Sequence, residues 1–340
     1  MRSWLLDYLV CPACGETLRA TPQIGPDEDL ETGTLACAGC GATYQVVRGI
    51  PRMAGTVVDV DKQRTTEAFG WQWQEFEHVY ENQAGIEAEF LDWVAPLDAS
   101  FFNGKLVLDA GCGMGRFSVA AAGLGARRVV GVDLSQSVEA ARHFTRDLSN
   151  VAIVQADIYN LPFRDPFDFA FSIGVIHHLP NPEAGIASVA KHVKPEGSLF
   201  AWVYGYENNE WIVKLVNPIR ERFTSRLPRR ALYALSWAIT AVVQPALRLY
   251  RPAHPAGLGR FMPYYSYMHW LSKYDFRHNL VVIFDHLVAP TAFYVKRDEL
   301  VAWFERAGFP RIEITARNEN SWRGHGRRED VVDARAASAR

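Results

Sequence analysis

Two groups of residues in this chain have types and spacings suited to chemistry. The first begins with Leu106-Val107-Leu108-Asp109-Ala110-Gly111-Cys112-Gly113-Met114-Gly115-Arg116-Phe117, where an apolar run ends in an acid and three alternate glycines. Glycine at 111, 113 and 115 lets the backbone pass close to a ligand, in space that a Cβ would occupy. The spacing is Gly-x-Gly-x-Gly, not the Gly-x-Gly-x-x-Gly of dinucleotide sites, and Asp109 stands where a pyrophosphate would want a free helix N-terminus. A carboxylate there suits a ligand carrying an ammonium group. About twenty residues on, Val129-Val130-Gly131-Val132-Asp133-Leu134-Ser135 ends a second run in an acid placed to take both hydroxyls of a ribose. Ala156-Asp157-Ile158 follows a third run, offering an acceptor and an apolar side chain that match the amino group and ring face of an adenine.

The second group is Cys11-Pro12-Ala13-Cys14-Gly15 with Cys37-Ala38-Gly39-Cys40-Gly41. A glycine after each second cysteine frees the tight turn that points two sulfurs at one ion. Four thiolates select tetrahedral Zn2+, so Cys11, Cys14, Cys37 and Cys40 are the expected ligands, with two disulfides as the alternative. A closed four-sulfur shell has no open position, which makes the ion structural or a docking device, not a catalyst. Cysteines gathered in such pairs point to a reducing, cytoplasmic setting, and the start Met1-Arg2-Ser3-Trp4-Leu5-Leu6-Asp7 lacks the form of a secretory signal.

The elements that position these groups follow from pattern and composition. With 340 residues and 49% hydrophobic content the chain can bury a full core, and a net charge of -2 announces no polyanionic partner such as DNA. Strands are expected at Leu106 to Asp109, Val129 to Asp133, Ala152 to Gln155, Phe167 to Ser172 and Ser198 to Val203, with helices between them. Such alternation predicts an α/β, doubly wound, Rossmann-like and mostly parallel seven-stranded sheet. The expected organisation is a zinc-ribbon-like module over 1–55, a helical lead-in over 56–100, a ligand-binding core over 101–205, an aromatic helical lid over 206–293, the rest of the sheet over 294–330 and a frayed tail over 331–340. No helical stripe in the first section is long enough to make a core, so metal is expected to supply its cross-link. The apolar stretch Ala231 to Tyr250 reads as two buried lid helices in preference to a membrane span, leaving peripheral membrane contact open.

In this order the acids and glycines resemble those of the class I S-adenosylmethionine-dependent methyltransferases, over roughly Phe69 to Arg328. The resemblance implies that Asp109, Gly111, Gly113 and Gly115 hold the methionine moiety of S-adenosylmethionine. By the same likeness Asp133 takes the ribose and Asp157 the adenine side, with Leu134 and Ile158 enclosing the ring. Trp73 and Tyr80, from the aromatic lead-in, would wall the pocket. The cysteine module, continued by Tyr44-Gln45-Val46-Val47-Arg48-Gly49-Ile50-Pro51, is similar to the small zinc-binding activator domain of tRNA and protein methyltransferases, here fused in cis. The alternative is a Rossmann-like domain whose acids merely cap helices.

Methyl transfer from a sulfonium is a direct displacement, accelerated by alignment and exclusion of water. His177 and His178 follow the fourth strand, at the edge that should face the methyl group, and either could take a proton from an alcohol. The competing reading makes them caps or scaffold. Aromatic residues Trp202, Trp211, Trp237, Tyr264, Tyr265, Tyr267, Trp270 and Phe284 could line a large pocket, favouring O-methylation of a small-molecule, sugar or lipid-linked acceptor. Arg311, Arg317, Arg323, Arg327 and Arg328 motivate a second reading, an RNA methyltransferase with the zinc module as its RNA grip. A binding protein that has lost transfer is the third.

Overall fold

The computed structural model describes residues 1–23, 25, 28–55, 60–76, 79, 85–164, 167–250, 262, 264–289 and 291–328. Tyr80 and the tail 331–340 lie outside them. Four short strands, β1 (Leu18–Thr21), β2 (Thr32–Cys37), β3 (Thr43–Val47) and β4 (Ile50–Pro51), form an antiparallel sheet in chain order. Helices α1 (Val60–Glu75) and α2 (Ile86–Val94) lead to the larger sheet. There β5 (Leu106–Ala110), α3 (Arg116–Gly123), β6 (Arg128–Asp133), α4 (Val138–Thr145) and β7 (Val151–Gln155) are followed by β8 (Phe167–Ile173), α5 (Pro182–Lys191) and β9 (Val193–Tyr204). After an inserted segment come α10 (Arg297–Arg306), β10 (Arg311–Arg317) and β11 (Ser321–Arg327).

The larger sheet has the order β10-β11-β9-β8-β5-β6-β7, with all strands parallel except β11, which runs antiparallel to its neighbours β9 and β10. Every residue of β5 and β7 is buried, as a sheet covered on both faces requires. From β5 the chain steps outward through β6 and β7, then returns to β8 on the other side of β5. The strand order therefore reverses beside β5, and the carboxyl ends there leave a crevice. Strands expected from the alternation of patterns all form, and β9 runs beyond the predicted Ser198 to Val203 at both ends.

The cysteine module does not hang free on its metal site. Leu5, Leu35 and Val46 are fully buried in the same apolar cluster as Val154, Leu161 and Phe163 of the larger sheet's flank. Leu9 bridges Phe163, Val10 N donates to Pro162 O at 2.9 Å, and Met53 N donates to Gln155 O at 2.8 Å. That last bond covers the β7 edge, which would otherwise present unpaired backbone. The expectation that metal alone supplies the cross-link is thus corrected. Strand alternation and a shared core contribute packing that a search for helical stripes does not detect.

The segment between β9 and α10 contains a π-helical turn (Ile212–Val216), α6 (Asn217–Arg222), α7 (Arg229–Leu247), α8 (Tyr265–Ser272) and α9 (Phe276–Val288). Residues 229–247 form one helix, not two, because Pro245 falls in its last turn and leaves most of the backbone ladder intact. It is buried along only one stripe, at Leu232, Ser236, Thr240 and Leu247. None of the helices searched among the described residues is long and apolar enough to cross a membrane.

Glycines in β11 allow α10 to pack closely on the sheet. A Cβ at Gly326 would stand 2.5 Å from the Phe304 ring and 2.8 Å from Phe309 Cβ. Gly326→Ala should cost about 1 to 3 kcal/mol through overpacking. Urea unfolding followed by circular dichroism checks this, and an unchanged midpoint would mean the sheet and α10 yield without strain.

Candidate active site

A cavity of about 150 Å³ lies at the carboxyl ends of β5, β6, β7 and β8. Trp73, Asp109, Gly111, Gly113, Asp133, Leu134, Asp157, Ile158 and His178 line it, while Gly115 and His177 do not. Asp133 is the structural pivot: its carboxylate accepts from Gly113 N at 3.0 Å and from Ser135 N at 2.8 Å. Gly111 and Gly113 adopt positive φ, +89° and +53°, and a Cβ at Gly113 would come within 3.1 Å of the Trp73 indole nitrogen. Trp73 thus sits over the turn. Gly115 serves packing, since its Cβ would stand 3.1 Å from Ala141 Cβ on α4.

Asp109 is almost fully buried and accepts from Ser118 Oγ at 2.7 Å. Burial pushes its carboxyl up to about 7, with the nearby Asp133 charge acting in the same direction. Asp157 accepts from Tyr159 N at 2.9 Å and pairs with Lys62 of α1, whose ammonium lies 4.4 Å from the Tyr159 ring centre. Lys62, Thr65 and Thr66 complete this side of the cavity. The sequence reading missed them because α1 reaches the sheet only through tertiary packing.

A second cavity, about 490 Å³, shares Trp73, Arg116, Phe117, Ile173 and Gly174 with the first. Trp202, Trp211, Tyr264, Tyr267 and Trp270 line it as the aromatic pattern suggested, whereas Phe284 is core and Trp237 packs on Phe276. Two acids line it: Glu89, which pairs with Arg116 at 3.1 Å, and the half-buried Asp285, the one acid in α9, which accepts from Gln72 Nε2 at 3.2 Å and Tyr204 OH at 3.4 Å. Burial raises its carboxyl to about 6. Arg220, also in this wall, is 2% exposed, and its Nε and Nη2 have no hydrogen-bond partner among the described residues. A guanidinium so placed complements an anionic or strongly accepting ligand group.

The two histidines part company. His178 donates Nδ1–H to Thr291 O at 2.7 Å, which leaves Nε2 with its lone pair, and burial holds its value down at about 4. His177 is fully buried 4.0 Å from the Tyr204 ring centre, lines neither cavity and has no partner for either ring nitrogen among the described residues. Burial, first, and the neighbouring His178 keep it well below its usual range.

Residues 108–201 match the family described as "Methyltransferase domain". The chain carries a methyltransferase domain. A ubiquinone biosynthesis O-methyltransferase of Erwinia tasmaniensis is 30% identical over 154 residues, covering 44% of this chain and 63% of that one. A tRNA U34 carboxymethyltransferase of Aeromonas salmonicida is 36% identical over 100 residues, covering 28% of this chain and 31% of that one. This chain therefore spans less than two thirds of the length of these curated relatives. Among solved structures, a complex between the Haloferax volcanii Trm112 methyltransferase activator and a methyltransferase aligns at 16% identity and a TM-score of 0.45, covering 78% of this chain and 99% of that one.

Against the methyltransferase domain packs the cysteine module, where all four expected sulfurs meet. One ligand atom from each of Cys11, Cys14, Cys37 and Cys40 lies within 4.8 Å of every other. The separations Cys11–Cys40 and Cys14–Cys37 are 3.7 and 3.4 Å, near the roughly 3.8 Å edge of a tetrahedral zinc–thiolate shell. Gly39 N and Cys40 N both donate to Cys37 Sγ at 3.4 Å, and Tyr44 OH lies 3.2 Å from Cys11 Sγ, which favours thiolates. No disulfide forms among them.

Because Asp109 sits above the range of an exposed carboxylate, it withdraws stability from the free fold as pH rises toward 7, and a cationic ligand offsets that cost by favouring its ionised form. Affinity of the methyltransferase domain for S-adenosylmethionine should thus rise with pH through about 7, with proton release below it. Calorimetry in buffers of different ionisation heat measures this, and a buffer-independent heat at pH 6 would remove Asp109 from the ligand's charge balance. Cys14→Ser should lower both bound zinc by metal analysis and the melting temperature; full zinc content in the variant would break the ligand assignment.

Proposed function

We propose that the protein is an S-adenosylmethionine-dependent methyltransferase that O-methylates a small-molecule or lipid-linked acceptor held in the aromatic cavity. The observation that carries this reading is the shared wall between the two cavities, formed by Trp73, Arg116, Phe117, Ile173 and Gly174 at the carboxyl end of β8. A void of about 490 Å³ falls within the range of sites for drug-sized ligands. When bound, S-adenosylmethionine supplies an electrophilic methyl group on a sulfonium. Asp109, the glycine turn and Asp133 hold the cofactor, Asp157 and Lys62 receive its base, and Trp73 covers the turn.

The acceptor side needs a group to take its proton. Asp285 suits that role, since a carboxyl near 6 is ionised at neutral pH yet more basic than an exposed carboxylate. His178, on the cofactor cavity and held neutral, orients or accepts through Nε2, while His177 serves the scaffold. In the cysteine module, Cys11, Cys14, Cys37 and Cys40 would hold one structural Zn2+ in a closed shell, which would cross-link the two cysteine turns.

An RNA acceptor gains less support. Three of the five arginines that motivated it are spent inside the protein: Arg317 is buried on Asp92, Arg323 reaches the carbonyls of Trp93 and Asp92, and Arg328 donates to those of Val193 and Ala190. Arg311 and Arg327 stay exposed, opposite each other on β10 and β11, and two side chains make a small phosphate-binding face.

Incubation with methyl-labelled S-adenosylmethionine and fractionated cell extract should place label in the small-molecule or lipid fraction. Label confined to RNA would overturn the acceptor class, and no label in any fraction, the activity itself. With the acceptor in hand, kcat should rise with pH through about 6 as Asp285 ionises. Asp285→Asn should lower kcat about 100-fold, within the range for a general base, and abolish that limb while cofactor affinity stays unchanged. A surviving limb in the variant assigns the titration elsewhere.

A further inference from the structure

The inserted segment is built inside out for a helix on a protein surface. In α7 the polar side chains face inward: Ser236 Oγ donates to Leu232 O at 2.9 Å, Thr240 Oγ1 donates to Ser236 O at 2.7 Å, and Gln244 meets Tyr274 O and Asn279. Facing outward from the helix are Leu235 and Val242, seven residues apart and so on one side of it, with Val242 76% exposed, and just past its end Leu249 is 68% exposed. No charged residue occurs between Arg230 and Arg248. Ahead of this helix Trp211, Leu215, Ile219 and Phe223 recur every fourth residue, and all stand exposed. Among the described residues, nine of the twelve exposed large apolar side chains belong to 211–249, so the apolar surface is concentrated in this segment and not scattered.

Its charges are mostly basic. Lys214, Arg222, Arg226, Arg230 and Arg248 are exposed around these stripes, against the exposed acid Glu221 within the segment and Glu210 just before it. A two-fold contact with a second copy would set this basic rim against itself. A bilayer with anionic headgroups supplies both an apolar layer for the stripes and negative charge for the rim. We propose that residues 211–249 seat the protein on an anionic lipid surface, lying in the interface without crossing it. Trp211, Ile212 and Val216 of the same segment also line the aromatic cavity, so the seated face is continuous with the wall around the acceptor. An apolar acceptor could then enter from the lipid. Seating itself is independent of methyl transfer and is read without it.

The test is co-sedimentation of the full chain with vesicles of phosphatidylcholine alone and of phosphatidylcholine mixed with phosphatidylglycerol. Binding should appear on the mixed vesicles, weaken with added salt and be much smaller on the neutral ones. The triple variant Leu215→Glu, Phe223→Glu, Val242→Glu should lose about 100-fold in partitioning, the loss of several buried apolar side chains. None of the three lines either cavity, so cofactor affinity and melting temperature should match the parent. The proposal fails if the parent stays in the supernatant with both vesicles, if it binds both equally, or if the triple variant binds as well as the parent. Self-association in sedimentation velocity that the triple variant abolishes, without vesicle binding by the parent, would make the face a protein interface instead.

Discussion

The carboxylate of Asp133 joins two strand ends into one site. One oxygen accepts from the backbone of the glycine turn after β5, the other from the turn after β6, so neither loop moves without the other. Side chains from β5, β6 and β7 then converge within a single crevice, at the place where strand order reverses. Acids there are partly desolvated, which is why Asp109 titrates near 7 and why a cationic ligand finds compensation in the site.

Beside that crevice the inserted helices build a second space with different physics. Its wall is mostly aromatic, and its few polar groups are costly to bury unless used. Asp285 is tethered by Gln72 and Tyr204, while Arg220 has donors left over. Low dielectric strengthens whatever these groups bind. The same insertion turns large apolar side chains outward between exposed basic ones, a distribution that serves an anionic lipid surface better than water.

Some residues that look functional along the chain are spent on structure. Arg317 and Arg323 look like part of a basic patch near the C-terminus until β10 and β11 carry them against Asp92 and open carbonyls. Gly115 and His177 share motifs with residues that line the crevice, yet one sits against Ala141 of α4 and the other beside Tyr204, and neither lines it. A neighbouring position along the chain can face another way in space, and a motif does not record which.

What the sequence determined by itself was local and periodic. The strand alternation, the positive-φ glycines at 111 and 113, the acids at strand ends and the cysteine pairs all follow from rules that act over a few residues, and each reappears in the fold. Tertiary structure alone decided the rest. It brought Lys62 to Asp157 across 95 positions and Asp285 to Gln72 across 213. It also merged the cysteine module into the main core and turned one side of α7 outward. These contacts depend on which faces of distant elements meet, and that is set by the packing of the whole chain, not by the pattern within any one segment.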